Sequence, residues 1–132
     1  SDEEVRHALQ AASLGNWDLE RRVSASGGIS PGEKQLIGVA RAVLRKSRIV
    51  ALDEVTSRVD KGTDEKVQSA LKRLPEGTTL LVVSHRLATL QDYDTVVVLG
   101  DGHVVEIGNP KDLESNPESQ FASMLAAEQS GE

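Results

Sequence analysis

Two adjacent carboxylates, Asp53 and Glu54, stand directly behind an apolar run in RIVALDEVTSRVD, Arg48 to Asp60. Ionised acids set side by side repel each other and lose hydration, which a divalent cation or a reacting water between them offsets. The competing reading of the same residues is that Asp53 caps the following turn and Glu54 is solvated. A second position of interest is His85, which follows another apolar run in VVSHRL. Alone, such a histidine reads as structural, whereas beside two acids it can hydrogen-bond a phosphate or an attacking water. The third is Ile29-Ser30-Pro31-Gly32-Glu33, with Ser at N-cap, Pro at the first helical position and Glu at the third. This is a capping box that starts a helix well. The Ser30 hydroxyl, the bare backbone of Gly32 and the positive helix end also make an anion site, which the Glu33 carboxylate partly neutralises.

These residues need a frame. Ser1 to Leu19 opens with acids and carries Val5, Ala8, Leu9 and Ala12 at helical spacing, predicting a short amphipathic helix. RRVSASGG, 21–28, reads as a loop. A second helix is expected from Pro31 to about Lys46, with Leu36, Val39, Ala40, Val43 and Leu44 inward. Ile49 to Leu52 and Thr78 to Ser84 read as strands buried on both faces. Lys61 to Leu74 lies between them as a helix with Val67, Ala70, Leu71 and Leu74 inward. Strand, helix, strand makes a βαβ unit with parallel strands, so Asp53, Glu54 and His85 are expected at one sheet edge, where α/β folds bind ligands. Thr95 to Leu99 and His103 to Ile107 flank GDG, a hairpin signal; Asn109-Pro110 ends that element, and a last helix is expected from about Glu118 to Glu128.

Composition limits the setting. The 132 residues, 38% hydrophobic and 27% charged, suit one globular domain whose core, with one Phe, one Trp and one Tyr, rests on aliphatic residues. A net charge of -6 without a long basic block argues against duplex DNA as a partner. Zero cysteines exclude disulfides and thiolate metal sites. No apolar run is long enough to span a bilayer. The opening SDEEVRHALQ reads as the first turn of a helix within a longer protein.

The motifs together carry a resemblance. ISPGEKQLIGVARAVL resembles the signature helix of ATP-binding-cassette proteins, RIVALDE their Walker B strand, TSRVD their D-loop and VVSHRLATL their switch-histidine segment. The likeness continues through DYDTVVVLGDGHVVEIGNPKDL to SQFASML, most like the second nucleotide-binding domain of multidrug-resistance-associated, C-subfamily exporters. It implies an α/β, partial P-loop NTPase fold: residues 1–46 as the end of the helical subdomain, and 47–132 as the C-terminal part of the ATPase core with a closing β-hairpin and helix. It implies that Asp53 holds Mg²⁺ through water, that Glu54 polarises the water attacking the γ-phosphate of ATP, and that His85 contacts that phosphate. Ser30 and Gly32, with Glu33 beside them, would face a nucleotide seated on an opposing domain, and Ser57 to Asp60 would lie at that interface.

The pattern departs from the family at Ile29, Pro31 and Glu33, where Leu-Ser-Gly-Gly-Gln is usual. No G-x-x-x-x-G-K-[ST] occurs in the chain, so the Walker A phosphate cradle is missing. The resemblance therefore implies the C-terminal half of a transporter ATPase domain, soluble by itself and without activity alone. Its partners would be the N-terminal half of the same domain, an opposing nucleotide-binding domain and membrane domains, placing it on the cytoplasmic side of a membrane. The exposed strand edge left by the missing half would let the chain self-associate, or let Thr95 to Leu99 fill the gap. Two rival readings are a regulatory cassette remnant and the C-terminal lobe of a chromosome-maintenance or DNA-repair ATPase.

Overall fold

The computed structural model describes residues 1–23, 28–53 and 61–131. They form two compact units, Ser1–Val83 and Ser84–Glu132.

In the first unit, α1 (Asp2–Ala11) begins with a capping box between Ser1 and Glu4. It is shorter than the amphipathic pattern suggested. Ser13 takes a left-handed φ of 60°, and Leu14, Trp17 and Leu19 pack back as an irregular segment against the helices. In α2 (Pro31–Leu44) the chain turns off at Lys46, whose φ of 51° occupies the position glycine usually takes. The Ser47 amide donates to the Ala42 carbonyl and the Lys46 amide to the Val43 carbonyl, each at 3.0 Å, so two otherwise orphaned carbonyls are satisfied. The expected βαβ unit follows as β1 (Ile49–Asp53), α3 (Lys61–Leu71) and β2 (Thr79–Val83), with β1 and β2 parallel. Ala8, Leu9, Ala12, Leu36, Val39, Ala40, Val67, Ala70 and Leu71 make the core, joined by Leu52 and Leu80.

One expectation fails here. The two strands are not buried on both faces: Val50 is buried, but Ile49 is 71% exposed, Leu81 60% and Val83 56%. Register explains the alternation, because Ile49 pairs with Thr79, Ala51 with Leu81 and Asp53 with Val83, all on one side of the pleat. Helices cover the other side only. Among the described residues β2 pairs with β1 alone, and Thr95 to Leu99 does not fill its free edge, because that segment pairs elsewhere.

The second unit opens with a 3-10 turn, Leu87–Asp92, which the sequence did not announce. The hairpin β3 (Val96–Gly100) and β4 (His103–Gly108) is antiparallel, with a bulge between Val98 and Leu99. Asp101 and Gly102 have φ of 49° and 77°, the pair of left-handed residues that a two-residue type I′ turn requires. Asn109-Pro110 ends the hairpin, as expected, and also starts the next element. The Asn109 side chain accepts from the Lys111 amide, and Pro110 begins a short α4 (Pro110–Glu114). The last helix, α5 (Gln120–Ser130), is capped by Ser119. Glu106 Oε2 on β4 accepts from Ser119 Oγ and from the Phe121 amide, both at 2.9 Å, so strand and helix start are joined. Val96, Val98, Phe121 and Leu125 form this unit's core, with Leu87, Leu90 and Leu113 against it. The alternate residues Val97 and Leu99 are exposed, as are their partners Ile107 and Val104, so this sheet too is covered on one face.

Candidate functional site

The first turn of α2 holds three of the candidate residues together. Ser30 Oγ accepts from the Glu33 amide at 3.1 Å, and Glu33 Oε2 accepts from the Ser30 amide at 2.7 Å, which completes the capping box. Gly32 is buried in the same turn. The Ser30 amide holds the Glu33 carboxyl below its ordinary pKa, helped by the nearby Arg21 charge. Arg21 is a residue that the motif reading missed. Its Nη1 lies 3.4 Å from Glu33 Oε1, its Nη2 donates to the Gly28 carbonyl, and its guanidinium stacks 4.5 Å over the Trp17 ring. The acid that counted against an anion site is thus partly balanced by a cation across the loop. Gly28, which precedes the signature segment, has a φ of 102°, a conformation that a side chain would strain.

Asp53 is the last residue of β1, exposed, and in register with Val83, the last residue of β2. The two parallel strands therefore end level with each other. Glu54, Ser57 and Asp60 lie outside the described residues. Among the described residues Asp53 is the carboxylate at this strand end, an oxygen donor of the kind Mg²⁺ takes beside waters and substrate phosphates.

His85 belongs to the second unit, one residue beyond Ser84. It is exposed, and the turn around it is tied by several bonds. The Arg86 amide donates to Ser84 Oγ at 3.0 Å, and Thr89 Oγ1 donates to the Arg86 carbonyl at 2.7 Å. The amides of Leu87 and Ala88 donate to Oε1 and Oε2 of Glu128, each at 3.2 Å. Nothing in the motif pattern pointed to Glu128, because it is 40 and 41 residues from these partners.

Comparisons with known proteins bear on the family and the fold. Residues 1–57 match the ABC transporter family. Multidrug resistance protein fer6 of Mycosarcoma maydis is 40% identical over 93% of this chain. ATP-binding cassette sub-family C member 2 of Rattus norvegicus is 39% identical over 99% of it. The chain spans 9% of the length of each of these two relatives. A solved structure of a bacterial Atm1-family ABC exporter with ATP bound aligns with a TM-score of 0.80 at 28% identity, covering 98% of this chain and 24% of that one. The parallel βαβ unit and the closing hairpin and helix are accordingly part of a P-loop NTPase fold. Signature helix, strand-end aspartate, alignment and relatives converge: the chain belongs to the ATP-binding-cassette transporter family, as part of a nucleotide-binding domain of the sub-family C, multidrug-resistance type.

Proposed function

We propose that this chain is the C-terminal part of an ATP-hydrolysing domain that drives transport across a membrane. The observation that supports it most is the level ending of β1 and β2 at Asp53 and Val83, which aligns the parallel strand ends behind which the reactive residues follow. When bound, Mg²⁺ would neutralise phosphate charge, and Asp53 is the residue that would hold it. Glu54 orients and polarises the attacking water, and His85 donates to the γ-phosphate. Ser30 and Gly32, with Glu33 balanced by Arg21, present the start of α2 to the nucleotide of an opposing domain, and Ser57 and Asp60 line the same interface. Residues 1–46 act as the helical subdomain and 47–132 as the ATPase core.

The decisive experiment is a Mg²⁺ titration of ATP hydrolysis by the full-length protein. Asp53→Asn is expected to raise the Mg²⁺ needed for half-maximal turnover roughly tenfold, since a neutral amide is a poor partner for a hard cation. An unchanged Mg²⁺ dependence removes Asp53 from its assigned role.

The partners are the N-terminal half of the same domain, an opposing nucleotide-binding domain and the membrane domains of the transporter, with this domain on the cytoplasmic side. No helix among the described residues is long and apolar enough to cross a membrane. The bare sheet faces carrying Ile49 and Leu81, and Leu99 and Ile107, are surfaces for the remainder of the domain to cover.

Two expectations concern the chain by itself. It binds no ATP, because the phosphate-cradling amides and lysine of a Walker A loop are not in its sequence. Titration with a fluorescent ATP analogue checks this, and saturable Mg²⁺-dependent binding contradicts it. It also self-associates through the free edge of β2, which runs Thr79–Val83 without charge or proline. Light scattering over a concentration series reads this out, and a strict monomer throughout counts against it.

A further inference from the structure

A helix or 3-10 turn begins with amides that lack partners within the turn, and a local Ser, Thr, Asp or Asn usually supplies the acceptor. At Leu87–Asp92 no such acceptor is present, because the N-cap residue is Arg86, which makes no side-chain cap. The acceptor comes instead from Glu128 in the last turn of α5, whose two carboxylate oxygens each take one of the first amides. The turn's outer side is fixed by this carboxylate and its inner side by Leu87 and Leu90 on the Phe121 core. His85 stands two residues before the first captured amide. Glu128 itself is exposed and its helix is moored by Phe121 and Leu125, so its removal leaves the core intact.

We propose that Glu128 is a positioning residue for ATP hydrolysis, fixing the backbone that carries His85 by accepting the Leu87 and Ala88 amides. The proposal rests on the reading of His85 as a group that contacts the γ-phosphate. Through Glu128, the end of the C-terminal helix sets the placement of a residue near the chemistry, although helix and histidine are more than 30 residues apart in sequence. A displacement of the order of 1 Å in such a residue costs up to about a hundredfold in rate, and a loosened turn samples only part of that, about tenfold.

The test uses the full-length protein. Glu128→Ala is expected to lower kcat about tenfold with KM for ATP within about twofold, because the nucleotide still binds while the histidine is less well placed. Glu128→Gln keeps one acceptor oxygen and is expected to recover about half of that loss on a logarithmic scale. Amide exchange at Leu87 and Ala88 quickens in Glu128→Ala while the amides of β3 and β4 keep their protection, which separates positioning from unfolding. On a His85→Ala background, Glu128→Ala is expected to add no further loss. A kcat within twofold of wild type in Glu128→Ala, or an undiminished further loss on the His85→Ala background, overturns the proposal alone. Wild-type turnover in His85→Ala overturns the reading of His85 and the proposal with it.

Discussion

Replacing Glu54 by glutamine in the full-length protein is expected to leave ATP binding intact and to lower turnover at least about a hundredfold, the usual worth of a positioned general base. The amide has the shape of the acid and can still orient a water through its oxygen. It cannot carry the negative charge that draws a proton from that water as the bond to phosphorus forms. Its neighbour in sequence, Asp53, ends β1 level with the end of β2. Single-turnover hydrolysis with trapped nucleotide separates the two effects. Full occupancy with a stalled reaction is the expected pattern, whereas turnover at the wild-type rate returns Glu54 to an ordinary solvated side chain.

Phe121→Ala is expected to cost the second unit about 3–5 kcal/mol, the range for removing a buried aromatic ring. Phe121 is the one phenylalanine in the chain and is fully buried between Val96, Val98 and Leu125. No other aromatic side chain belongs to that cluster, so the cavity has no large neighbour to collapse into it. The described residues of this core come from the second unit, and a unit so small has little stability to spare. Each 1.4 kcal/mol is a factor of ten in an equilibrium, so amides of β3, β4 and α5 should exchange more than about a hundredfold faster. Exchange slowed or unchanged at those amides shows that Phe121 does not organise the unit.

What could be read from the chain in advance was local. The capping box at Ser30 and Glu33 closes within three residues, and the type I′ turn at Asp101 and Gly102 within two, so their partners were visible in the sequence itself. The helical faces of α2 and α3 were legible for the same reason, through Leu36, Val39, Val67 and Ala70. Asn109-Pro110 ends the hairpin as its residue types imply, and the same pair, N-cap Asn followed by Pro at N1, also starts a helix. The apolar runs of β1 and β2 read as strands buried on both faces, but a continuous run carries no period that tells a covered face from a bare one, and Ile49 and Leu81 are exposed. The order of the motifs named the candidate residues, of which Ser30, Gly32, Glu33, Asp53 and His85 fall among the described residues. The contacts of Arg21 and Glu128 were not legible, because each joins residues that no period or spacing relates.

The bond between Glu106 and the start of α5 also implies an expected order of folding within the second unit. A hairpin with a type I′ turn closes within about 1–10 μs, and its completion puts Glu106 in place. The carboxylate then meets Ser119 and the Phe121 amide across only 13 and 15 residues, a short and entropically cheap closure. The helix that grows from that point delivers Glu128 to Leu87 across 41 residues, the longest of these closures. On a chain made from its N-terminus, the turn beside His85 is synthesised before α5 and is expected to be fixed only after α5 has formed. The turn that follows His85 is therefore expected among the last parts of the second unit to be fixed.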